Sequence, residues 1–137
     1  MNEAKRELLV EQLNFFKTLK VIEDEQNRKG VIKENGEVLV PAEYAMAKIC
    51  LRVNKFYPFT MKPVIWVLNH NHKEAHMGPN LKMSRFTPYG EINGPFRGFI
   101  NNMINTTFFY QDVPIERVTS ENIHIYSYKN RELNPIR

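Results

Sequence analysis

Apolar residues in the first twenty positions recur at helical spacing, with Leu8, Leu9, Leu13, Phe16 and Leu19 near one face. The spacing predicts an amphipathic helix over 2–20. Asn2 is placed to cap it, Glu3 to oppose the macrodipole in the first turn, and Lys17 and Lys20 to sit in the last. From Val21 the pattern changes to short apolar runs divided by turn residues, which predicts an antiparallel meander over 20–41 with strands near 20–24, 29–34 and 37–40. Asp24 to Arg28 forms the first turn and Asn35-Gly36 the second. That dipeptide predicts a two-residue hairpin turn with positive φ at both positions. Pro41 cannot donate a ladder hydrogen bond and is expected to end the third strand. Over 43–53, Ala47, Cys50 and Leu51, with Tyr44 and Met46 nearby, read as a second helix.

The remainder is a mixed strand and helix region over 62–137. Residues 54–63 form an aromatic connection punctuated by Pro58 and Pro63. Val64 to Leu68, carrying Trp66, reads as a buried strand. The polar stretch 69–80 reads as a loop and 81–87 as a returning strand. Asn93-Gly94-Pro95 opens a helix whose apolar stripe is Phe96, Phe99, Ile100, Met103 and Ile104. Strands are expected at 108–111 and 122–128, the latter with Ile123 and Ile125 on one face. The fold expected is α+β: a small antiparallel sheet packed by two or three amphipathic helices, in one domain spanning 1–137.

Gly30-Val31-Ile32, then Asn35-Gly36, then Val40-Pro41 and Tyr44 resemble a single unit of the WG-type β-repeat family. In that family a glycine-aromatic-isoleucine strand, a glycine turn and an apolar strand ending Pro-x-x-Tyr recur in tandem. Val31 stands where an aromatic is commoner, and no second copy follows. The resemblance covers 21–44 and implies an interaction or scaffold element, with no catalytic role.

At 137 residues, with 42% hydrophobic and 25% charged content, the chain is long enough to bury a core and too apolar to be disordered throughout. A single cysteine, Cys50, precludes an intrachain disulfide, so nothing requires an oxidising compartment. The first eleven residues lack the apolar core of a signal peptide. The run Val64 to Leu68 falls far short of the roughly 20 residues that span a bilayer. A cytoplasmic protein, cellular or acting in a host cell, and no membrane partner are expected.

The net charge of +4 is uneven. Residues 1–44 carry seven Lys/Arg against nine Asp/Glu, residues 45–110 eight against two, and residues 111–137 four of each. The basic middle implies an anionic partner. Within it, Arg52, Lys55, Phe56, Tyr57, Phe59 and Lys62 interleave cations with aromatics, and Lys82, Arg85 and Arg97 follow. Phosphates need cations and unstacked bases need aromatic platforms, the logic of single-strand binders.

His70, His72 and His76 offer a different chemistry. On an extended segment residues i and i+2 share a side, so His70 and His72 could share zinc or manganese, with His76 as third ligand and Glu74 as base. The order His72-Lys73-Glu74-Ala75-His76 matches neither the zinc-peptidase motif nor its inverse. Cys50 has no histidine beside it, and no serine stands in a nucleophile elbow. Three functions therefore stand. The first is a non-enzymatic interaction or structural subunit working through protein contacts, possibly self-assembling. The second is a nucleic-acid-binding accessory protein using segment 52–97. The third is a metal-dependent hydrolase using the three histidines. The first is preferred because no catalytic constellation forms.

Overall fold

The computed structural model describes residues 3–54, 60–89 and 110–126. Asn2, the segment 55–59 and the helix expected from Asn93 lie outside them. The architecture is mainly β. One α-helix, α1 (Glu3–Lys17), precedes a three-stranded sheet of β1 (Lys20–Glu23), β2 (Lys29–Ile32) and β3 (Val38–Tyr44). A five-stranded sheet follows, built from β4 (Met46–Asn54), β5 (Thr60–Leu68), β6 (Lys73–Met77), β7 (Thr87–Pro88) and β8 (Tyr110–Pro114) in the order β7-β6-β5-β4-β8. This overturns the α+β expectation of a small sheet under two or three helices: among the described residues there is one α-helix and two antiparallel sheets.

The second expected helix, 43–53, is the long strand β4. Ala47, Ile49, Leu51 and Val53 alternate onto the core face, a period of two that favours a strand. Cys50, on the opposite face, is buried as well, and this second buried set disguised the alternation as a helical pattern. Between β3 and β4 the chain bends at Ala45, whose N–H donates to the Leu68 carbonyl at 2.8 Å, so one chain feeds both sheets. Pro41 does not end β3. The strand runs on to Tyr44 across a register shift, and Pro41 is tolerated because β3 is an outer strand of its sheet.

Three further expectations fail for local reasons. The polar stretch 69–80 contains β6, in which Ala75 and Met77 alternate to the core while Glu74 on the other side is buried against Trp66. Residues 81–87 form only a bridge at Met83 and the start of β7. Ile123–Tyr126 is a 3-10 turn where a strand was expected. It is nucleated by a reciprocal pair in which the Thr119 N–H donates to Asn122 Oδ1 and the Asn122 N–H to Thr119 Oγ1. Ile123 is buried and Ile125 exposed, so the two do not share a face. The expected helix over 2–20 and the buried strand at 64–68 are present as α1 and β5, and 108–111 overlaps β8.

The core lies between α1, the small sheet and one face of the large sheet. Leu9, Leu13 and Phe16 of α1 meet Val31 and Val40 of the small sheet and Leu51, Val53, Ile65 and Val67 of the large one. Within the small sheet β2 and β3 approach closely because Gly30 has no side chain. A Cβ there would lie 2.5 Å from the Val40 carbonyl oxygen and 2.7 Å from the Ala42 nitrogen.

Three hairpin loops share one construction. In 24–28, 33–37 and 69–73 the first residue's N–H donates to the fifth residue's carbonyl, and the fourth residue's N–H donates back to the first residue's carbonyl. The fourth residue is left-handed in each: Asn27 (φ 64°), Gly36 (φ 90°) and His72 (φ 59°). Asp24, Asn35 and Asn69 use side-chain oxygens to hold backbone N–H groups inside the loops. The Asn35-Gly36 hairpin is therefore a three-residue loop with positive φ at Gly36 alone, not the two-residue turn expected.

Two outcomes follow for stability. Gly30→Ala forces backbone of the two packed strands apart and should cost about 3 kcal/mol, or abolish folding, as read by urea denaturation. His72→Gly relieves an exposed left-handed residue and should raise stability by about 1 kcal/mol, seen as a higher melting temperature.

Candidate functional site

Strand alternation sorts the large sheet into two faces. While Ala47, Ile49, Leu51 and Val53 face the core, Lys48, Cys50 and Arg52 of β4 point the other way. They lie opposite Trp66, Val64 and Lys62 of β5. Across the next pairings His76 and Glu74 of β6, and Asp112 of β8, join the same face. This second face concentrates the polar chemistry of the large sheet.

Its order comes from buried polar contacts. Arg52, 7% exposed, gives a two-pronged salt bridge to Asp112: Nε to Oδ1 at 2.9 Å and Nη2 to Oδ2 at 2.8 Å. Planar guanidinium against carboxylate suits this geometry and clamps β8 to β4. The Trp66 indole N–H donates to Glu74 Oε1 at 2.8 Å, and Glu74 is 3% exposed. The Lys48 ammonium lies 5.8 Å from the Trp66 ring centre, and the Tyr89 ring 5.8 Å away. Cys50 has its thiol pushed up to about 11, by burial first and by the Asp112 charge second, so it stays protonated and unreactive at neutral pH.

Beyond Met77 the chain turns at Gly78 to Leu81, where the Leu81 N–H donates to the Gly78 carbonyl at 2.9 Å. It then returns beside β6. Ser84 meets His76 three times: its N–H donates to the His76 carbonyl at 2.8 Å, its Oγ accepts from the His76 N–H at 3.0 Å, and its Oγ lies 3.4 Å from His76 Nδ1. Farther along, Thr87 pairs with Glu74, so Arg85 and Phe86 together oppose Ala75, a bulge of one residue. The bulge lets Phe86 stack on Tyr44 of β3, with ring centres 6.1 Å apart.

This return opens a cleft of about 720 Å³ at the end of β6. Its walls include Lys62 at the start of β5, His76, Asn80, Lys82 and Ser84, with Gln12 of α1 beyond. Among the described residues no carboxylate lines it. The Lys62 side chain passes over Gly78, where a Cβ would lie 3.8 Å from its Nζ. The His76 imidazole is held down to about 4, by burial first and then by the Arg52 and Lys62 charges, with Asp112 opposing.

Of the nine expected nucleic-acid residues, four fall among the described ones. Arg52 is committed to Asp112, whereas Lys62 and Lys82 meet at the cleft, and Arg85 is exposed in the bulge. Lys55, Phe56, Tyr57, Phe59 and Arg97 lie outside the described residues. The histidines are separated. His70 and His72 belong to the exposed tight loop 69–73, not to an extended segment, and His76 is on β6. Among the described residues no three His, Cys, Asp or Glu side chains gather as a metal site, and Glu74 is held by the Trp66 indole. Asp112 and Ser84 were not singled out in the sequence. Asp112 stands sixty positions from Arg52, and no local signal pairs them.

Comparison with protein-family models, with curated proteins and with solved structures finds no match for the chain. Among the described residues no helix is long and apolar enough to cross a membrane.

His76 makes stability depend on pH. Its folded value of about 4 lies below the ordinary 6.5, so between these the unfolded chain binds the extra proton. The neutral ring's contribution is complete above pH 6.5 and is lost as pH falls towards 4. Urea midpoints at pH 7 and pH 5 should therefore differ more for the wild type than for His76→Gln.

Proposed function

We propose that the protein is a non-enzymatic structural subunit that assembles with a second copy of itself through the outer edge of β1. The observation that carries this reading is the character of that edge. Among the described strands β1 has a neighbour, β2, on one side only. Its sequence, Lys20-Val21-Ile22-Glu23, contains no proline and is solvent-exposed along its length, Ile22 in part, with Val21 42% exposed. Such an edge offers unpaired backbone groups to another strand.

The sequence of β1 is also self-complementary. Antiparallel pairing about a two-fold axis between Val21 and Ile22 sets Lys20 against Glu23 of the second copy at both ends. Val21 then faces Ile22 of that copy in the middle. An isologous contact needs this kind of self-matching, and opposite charges directly across an antiparallel pair stabilise it. Leu8 and Phe15 of α1 and Val38 of β3 are further large apolar side chains left exposed outside the large sheet. The reading agrees with the scaffold role implied by the hairpin resemblance, and we propose the cytoplasm of a cell or a host cell as its location.

The charges allow a decisive experiment by light scattering across a concentration series. Lys20→Glu alone sets like charges against each other and should weaken the dimer about tenfold. Adding Glu23→Lys restores opposite signs across the seam and should recover it, with the Glu23→Lys single variant as the control for the lost Glu23–Lys29 pair. A protein that is monomeric at every concentration, or a dimer indifferent to Lys20→Glu, overturns the proposal.

A further inference from the structure

The cleft at the end of β6 has the makings of a ligand site independent of β1. The polar part of its lining combines two ammonium groups, an imidazole, two hydroxyls and two side-chain amides, from Lys62, Lys82, His76, Ser84, Thr60, Gln12 and Asn80. These groups come from α1, β5, β6 and the returning segment, so the fold converges them from four places in the sequence. Lys62 and Lys82 make no ion pair among the described residues. The acidic group acting on the His76 ring, Asp112, is neutralised by its two-pronged bond to Arg52. Among the described residues these two cations share a concave wall without a carboxylate, which leaves a positive potential suited to an anion.

The walls are also firm enough to recognise a shape. Lys82 is fixed at its backbone, where its N–H donates to Asn80 Oδ1 at 3.1 Å, inside a turn closed by Gly78 and Leu81. Ser84 is anchored to His76 through the backbone of both residues. Gly78 leaves room for the Lys62 stem to lie along the floor. A tetrahedral oxyanion can take charge-assisted bonds from the ammonium groups and neutral ones from hydroxyl, amide and imidazole N–H donors.

We infer that this cleft binds a phosphate group, held between Lys62 and Lys82 with His76 and Ser84 at its back. His76 then becomes a reporter. The groups acting on its ring are Arg52, Lys62 and Asp112. A phosphate at Lys62 offsets the two cations and makes the charged imidazole easier to form.

The test uses the full chain and three probes: inorganic phosphate, a nucleoside monophosphate, and a fifteen-residue single-stranded oligothymidylate. Binding is followed by calorimetry, and the His76 ring by NMR pH titration. Phosphate or nucleotide should raise the His76 titration midpoint by about one unit or more. Lys62→Met and Lys82→Ala should each weaken binding at least tenfold and reduce that shift. Binding by the free anion or mononucleotide identifies a small-molecule site. Binding by the oligonucleotide alone, weakening with salt at a log–log slope near −0.7 for each phosphate contacted, identifies a strand-backbone site. Should none of the probes bind at low salt, or should binding leave both the His76 titration and the lysine variants unaffected, the inference is wrong. Because none of these residues lies in β1, a monomeric protein can still bind phosphate and a dimer can fail to.

Discussion

From Pro63 to Leu68 no residue of β5 is more than 9% exposed, so this strand is dry on both faces. The rest of the structure answers to that constraint. One face is met by α1 and the core, through Ile65 and Val67. The other carries Trp66, whose indole N–H would be stranded without an acceptor, and buried Glu74 supplies it from the neighbouring strand. Backbone groups obey the same accounting. Pro63 lacks an N–H, and it sits where β5 pairs with β4 but beyond the last residue paired to β6.

Burial on both faces also explains why polar residues of the large sheet are paired so specifically. A guanidinium as enclosed as Arg52 costs several kcal/mol to desolvate unless a carboxylate meets it, and Asp112 does so with both oxygens. The cations that remain at the end of β6 are those the cleft keeps wet. The enclosed guanidinium is thus closed into a pair with Asp112, while Lys62 and Lys82 stay exposed at the cleft.

The parts of this arrangement that are legible in the sequence are those written in local pattern. The Leu9, Leu13, Phe16 stripe marks α1, the meander of β1 to β3 is bounded by its turn residues, and Val64 to Leu68 marks a buried strand. What escapes is whatever depends on a distant partner. Cys50 and Leu51 look like neighbours on a helix because both are buried, yet they face opposite sides of a sheet. Lys73 to Met77 looks like a loop because Glu74 and His76 are polar. Trp66 and Ser84, eight positions away on either side, make that strand possible. Likewise the close spacing of His70 and His72 disguises a loop in which His72 is left-handed.

The recurrence of one loop construction has a kinetic consequence. Loops 24–28, 33–37 and 69–73 each close over five residues, with side-chain oxygens holding the turn before any strand is paired. Closing so short a loop takes well under a microsecond, and a hairpin zips in microseconds. The β1-β2-β3 meander and the β5-β6 ribbon can therefore form early and separately. The pairing of β8 with β4 spans sixty positions at the Arg52–Asp112 bond and carries a larger loop-closure cost than any of these three loops. Two quick hairpin units and one slow strand make the docking of β8 the step that governs how fast the large sheet is completed.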